Sequence, residues 1–120
     1  IAPSWARWAT NLVPSYLSTN DFNKLLNAPG ITRAAGTGPE DKSVKSMNVY
    51  SVAENHPGDT IFLASANWTN YSALTPDGKP YGEKGFVVFR KAGDGGILLK
   101  KQFNNTNIIG HLPAGAPNPL

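Results

Sequence analysis

Breakers recur so often along this chain that no element has room to run long: twelve glycines and ten prolines are spread through 120 residues. Glycine raises the entropic cost of fixing a helix or strand, and proline removes a backbone donor and locks one dihedral. Such punctuation predicts short elements joined by many turns and argues against a helical bundle. It stays below the level that marks disorder, and the aromatic tenth of the chain supplies material for a packed core. A chain of this length is expected to form one domain, residues 1–120, burying roughly two-thirds of its unfolded surface.

Between the breakers, the hydrophobic period changes once. Pro3 to Leu12 reads as a short helix, with proline tolerated in the first turn and Trp5, Trp8 and Leu12 forming one apolar stripe. Pro14 ends it by pushing Val13 out of the helical region. A second helix fits Asp21 to Leu26, capped by Thr19 or Asn20, with Phe22, Leu25 and Leu26 facing inward and Ala28-Pro29-Gly30 closing it. Residues 30–46 carry no apolar periodicity and read as a long surface loop, the segment expected to be most mobile.

From Met47 onward the period moves toward two. Met47 to Ala53 and Thr60 to Trp68 are strand candidates separated by the turn His56-Pro57-Gly58-Asp59. Thr75-Pro76-Asp77-Gly78-Lys79 is a further turn. Gly85 to Arg90 and Ile97 to Lys101 flank the loop Lys91 to Gly96 and give the clearest hairpin of the chain. The three prolines of residues 113–120 predict an extended tail. Helices first, then a small antiparallel sheet of about four strands, is an α+β arrangement.

Composition narrows the function classes. There is no cysteine, hence no disulfide, thiolate metal site or cysteine nucleophile. The net charge of +3 is spread from Arg7 to Lys101, without the dense basic stripe and interleaved aromatics of a nucleic-acid binder. No apolar run is long enough to span a bilayer, and no signal peptide stands at the start. The opening at Ile1 without a methionine predicts processing or truncation, with targeting information upstream.

Constellations for chemistry are sparse. His56 and His111 are far apart in loops, no serine lies in a nucleophile elbow, and neither histidine has a second ligand at zinc spacing. Glu40-Asp41, and Glu54 with Asp59, read as solvated loop charges. Asp77 and Asp94 lie in glycine-containing loops and are the candidate calcium ligands by donor type, although turn formation alone explains Asp-Gly at both places. Gly93-Asp94-Gly95-Gly96 precedes a strand, whereas a phosphate cradle needs a helix N-terminus. Three Asn-x-Ser/Thr triplets start at Asn67, Asn70 and Asn104. Trp68, Asn70 and Tyr71 together are the candidate carbohydrate-binding surface, since aromatic faces and amides suit saccharides; the alternative for Trp68 is a core position at a strand end.

Several phrases carry a resemblance. Met47-Asn48-Val49-Tyr50-Ser51-Val52-Ala53, Asp59-Thr60-Ile61-Phe62-Leu63-Ala64-Ser65-Ala66-Asn67-Trp68, and Tyr81-Gly82-Glu83-Lys84-Gly85-Phe86-Val87-Val88-Phe89-Arg90-Lys91 look like the strand region of pseudopilin-like proteins. Together with a leading helix, a variable loop and an irregular tail, residues 5–112 resemble the globular heads of type IV pilins and type II secretion pseudopilins. The hydrophobic stalk helix that opens members of that family is not in this sequence. The resemblance therefore implies a stalk lost by truncation, or supplied by a separate small chain as in split pilins. It implies a structural subunit of an extracellular or cell-envelope filament with no reaction and no cofactor of its own. Its partners would be other subunits or the stalk-helix chain, with membrane contact only through that helix. Trp5, Trp8 and Leu12 would then form the assembly interface, with packing on the domain's own sheet as the alternative. A free secreted binding module using Trp68, Asn70 and Tyr71 is the reading from another class.

Overall fold

The computed structural model describes residues 4–13, 15–28, 30–34 and 36–120. Helices α1 (Trp5–Leu12) and α2 (Thr19–Leu25) precede strands β1 (Met47–Val49), β2 (Ile61–Ser65), β3 (Phe86–Arg90) and β4 (Gly95–Leu98). A 3-10 turn at Lys100–Gln102 and a last single-turn helix, α3 (Thr106–Ile109), follow. The strands form one antiparallel meander in the order β1-β2-β3-β4. The fold is α+β.

Helices α1 and α2 each start on a serine whose hydroxyl takes up an orphan amide of the first turn. Ser4 Oγ accepts from Arg7 N at 3.2 Å, and Ser18 Oγ accepts from Asp21 N at 3.1 Å. The cap of α2 is thus Ser18, ahead of the expected Thr19 or Asn20. Val13 is extended, as a residue before proline should be; Pro3, Pro14 and Pro29, expected to open or close the helices, lie outside the described residues. Leu25, expected to face inward, is 52% exposed, and Asn23 is buried in its place beside Phe22 and Leu26.

The sheet has apolar clusters on both sides. On the front, Ala64, Phe86, Val88 and Leu98 pack with Tyr50, Ile61, Trp68, Leu74 and Ile109. On the back, Val49 packs with Trp5, Ala9, Val13, Phe22 and Leu26, with Met47 and Leu63 against them. Ile61 and Leu63 should share a face by strict alternation, yet they belong to opposite clusters. The register shift between them is the reason: a bulge inserts Phe62 opposite β3 and turns Ile61 to the front. Helices α1 and α2 cover the back only over β1 and β2, so Phe89 and Ile97 remain 42% and 83% exposed.

The expected long strands are shorter. Tyr50 N still donates to Phe62 O at 2.8 Å, but β1 ends at Val49. Strand β4 begins at Gly95, two residues ahead of the expected Ile97. It ends at Leu98, because Leu99 N is taken by Gln102 Oε1 at 2.8 Å and the chain turns into the 3-10 segment. The tail returns to the sheet, where Leu120 N donates to Val49 O at 2.7 Å and its side chain joins the back cluster.

Candidate functional site

Helix α1 divides its side chains between the core and an open flank. Trp5 and Ala9 are fully covered; Trp5 lies with its ring 6.4 Å from Phe22 and its indole N–H donating to Pro39 O at 3.0 Å. One helical step away, Trp8 and Leu12 are only half-buried. Ser4, Arg7, Trp8 and Asn11 follow helical spacing and form one wall of an open groove of about 630 Å³. Its opposite wall is Val49 to Glu54 with Phe62, and Lys91 and Leu120 complete it. Of the three residues expected to serve assembly, Trp5 is therefore core, while Trp8 lines a groove and Leu12 stays at the cluster's margin.

Three residues lining this groove are charged, Arg7, Glu54 and Lys91. Arg7 stands on the helix, and Lys91 is occupied by the carbonyls of Glu54 and His56. Tyr50 contributes part of the wall, but its hydroxyl turns away and donates to Asn70 Oδ1 at 2.8 Å. Burial pushes that hydroxyl up to about 12. Behind Trp5, Lys45 sits with its ammonium 5.9 Å from the indole; burial and then the charge of Lys42 pull it down.

The candidate saccharide surface takes a different form. Trp68 is fully buried, stacked on Phe86 at 5.6 Å with 6° between the planes, and its indole N–H donates to Phe103 O at 2.8 Å. It presents no face to solvent, so the surface role expected of it is corrected to a core role. Asn70 and Tyr71 both adopt positive φ, 50° and 64°, and both are engaged within the fold. Asn70 Nδ2 donates to Asn118 Oδ1 at 3.1 Å, and Tyr71 Oη donates to Gly110 O at 2.8 Å while its ring packs edge-on against Trp68. The three residues do lie together, as fasteners of the segment after β2 and of the tail.

Asp77 sits exposed in the turn closed by Gly78 N on Thr75 O at 3.1 Å. Asp94 lies in the β3–β4 hairpin, bound to Arg90 Nη1 at 2.6 Å. Among the described residues, no three histidine, aspartate or glutamate side chains converge as a metal-binding group. His111 Nδ1 lies 2.7 Å from Asp59 Oδ2, and His56 Nδ1 accepts from Ala53 N at 2.9 Å.

The most heavily engaged polar side chain is one the sequence did not single out. Arg33 is 4% exposed. Its Nε donates to Asn23 Oδ1 at 2.9 Å, Nη1 to Asp41 O at 2.5 Å and Val44 O at 2.7 Å, and Nη2 to Gly38 O at 3.0 Å. The guanidinium also lies 5.6 Å from the Phe22 ring centroid. The breaker-rich segment expected to be most mobile is wrapped around this group. Burial lowers the Arg33 value, opposed by the charge of Asp41.

No helix among the described residues is long and apolar enough to cross a membrane. Comparison with protein-family models, with curated proteins and with solved structures finds no match to this chain.

Proposed function

We propose that this chain is the head of a pilin-like or pseudopilin-like subunit and acts by assembly into an extracellular or cell-envelope filament. The observation that carries this reading is the flank of α1. Trp8 stays half-exposed along an open, largely apolar groove running from Ser4 to Asn11 on the helix and from Val49 to Glu54 opposite. A groove walled by a helix on one side and extended chain on the other suits an amphipathic or apolar helix laid into it. The partner proposed for it is a hydrophobic stalk helix, of this subunit or of a separate chain. The order of elements, short helices and then an antiparallel meander, agrees with the resemblance noted in the sequence. The carbohydrate reading has no such support, because Trp68 is buried and Asn70 and Tyr71 are engaged within the fold.

Electron microscopy of the protein as its native host exports it tests the proposal. Ordered fibres containing this chain are the expected result. A dispersed monomer, in a preparation that keeps everything encoded upstream of Ile1, overturns it. Within such fibres, Trp8→Ala should abolish or strongly weaken assembly while circular dichroism of the head stays native. Normal fibres from that variant would remove the groove from the account.

A further inference from the structure

The sheet ends on β4, an edge strand of four residues. Gly95-Gly96-Ile97-Leu98 contains no proline, no charge and no bulge. Arg90 N donates to Asp94 O at 2.8 Å, so alternation turns the backbone groups of Asp94, Gly96 and Leu98 toward β3. Those of Gly95 and Ile97 point outward, and no hydrogen-bond partner is found for them among the described residues. Beside this edge, Ile97 is 83% and Phe89 42% exposed on the back face.

We propose that β4 pairs antiparallel with β4 of a second copy about a two-fold axis, joining two four-stranded sheets into one. The occupant is fixed by self-complementarity. The outward groups of both residues all meet one another when Gly95 of each copy pairs with Ile97 of the other, which places Gly96 against Gly96 on the axis. In that register about four backbone hydrogen bonds form, and no side chains collide at the closely spaced central pair. Ile97 falls over the partner's Gly95. The Phe89 ring already leans across Gly95, where a β-carbon would come within 2.5 Å of it, so Ile97 meets an aromatic edge. The pairing stands apart from the groove beside α1 and holds whether or not the chain forms fibres.

Sedimentation equilibrium and cysteine trapping on the full chain test this. The chain has no cysteine, and a β-carbon at Gly96 would meet nothing within 4 Å, so Gly96→Cys adds a single thiol without disturbing the fold. Across the axis the α-carbons come to about 4.5 Å, within disulfide range. The expected result is a concentration-dependent dimer, trapped by oxidised glutathione in Gly96→Cys and not in a Ser43→Cys control. Ile97→Lys, at a solvent-facing position, should raise the dissociation constant at least about tenfold with the fold intact by circular dichroism. A wild-type chain that stays monomeric up to about 1 mM overturns the proposal. So does a dimer that Ile97→Lys leaves unchanged, or one that Gly96→Cys does not trap, because its contact would lie elsewhere.

Discussion

A buried guanidinium organises the least regular part of this molecule. Arg33 donates to three loop carbonyls and to Asn23, so deleting it strands several acceptors where water has little access. Arg33→Ala should lower unfolding free energy by about 2–4 kcal/mol, read as a reduced urea midpoint. Arg33→Lys should recover little, because a single ammonium cannot match a planar fork spread over these acceptors. Tyr50 offers a second residue-scale test, through pH. Its hydroxyl ionises near 10 when exposed and at about 12 in the fold. Below pH 10 both states are neutral and the group adds no pH dependence. Between the two values the unfolded chain has lost the proton and the folded chain holds it. Stability should therefore fall as pH rises through this window, by up to about 3 kcal/mol. Urea titrations across that range should show the decline, and Tyr50→Phe should reduce it, leaving the share of Tyr71, whose hydroxyl burial also raises.

At the scale of elements, α1 carries two tryptophans with unlike tasks. Trp5 is 2% exposed and holds Phe22, Trp8 and the Pro39 carbonyl, so Trp5→Ala should cost about 3–5 kcal/mol in a thermal or denaturant melt. The stripe Trp5, Trp8 and Leu12 was legible from spacing alone, but spacing does not say which member turns furthest inward. That depends on where α2 and β1 lie, which are distant in sequence. The four-stranded antiparallel sheet was equally legible, since alternation and the Pro-Gly and Asp-Gly turns mark its strands. Its faces were not: the bulge at Phe62 sends Ile61 to the front and leaves Leu63 behind, and nothing in Ile61-Phe62-Leu63 announces it. Helix α3 also escaped reading, because a single turn among asparagines has no hydrophobic period to reveal it. The Arg33 cage lacked any signal beyond one basic residue in a polar loop. Its partners are backbone carbonyls, which every sequence contains. Trp68 left two readings open, a surface position suggested by its polar neighbours and a core position at a strand end, and the core position is the one it takes. The amides and hydroxyls of those neighbours bind the protein's own chain.

For the whole molecule, the sheet is a common wall. Ala64, Phe86 and Val88 pack forward while Val49 and Leu63 pack backward, so neither cluster keeps its shape without the strands it shares with the other. The connections after β4 reinforce this arrangement. Ile61 N donates to His111 O at 2.8 Å, Arg90 Nε to Ile109 O at 2.8 Å, and the tail reaches β1 through Leu120. Unfolding should consequently be a single cooperative transition, in which near- and far-ultraviolet circular dichroism lose signal at the same urea concentration.

The placement of the indoles turns this wall into an optical instrument. Trp68 lies in front of the sheet and Trp5 and Trp8 lie behind it. Keeping only Trp68, or only the other two, would give emission that reports one side at a time. A coincident red shift on both sides would record the sheet failing as a unit. A separation between them would time the departure of the helices from the strands they cover.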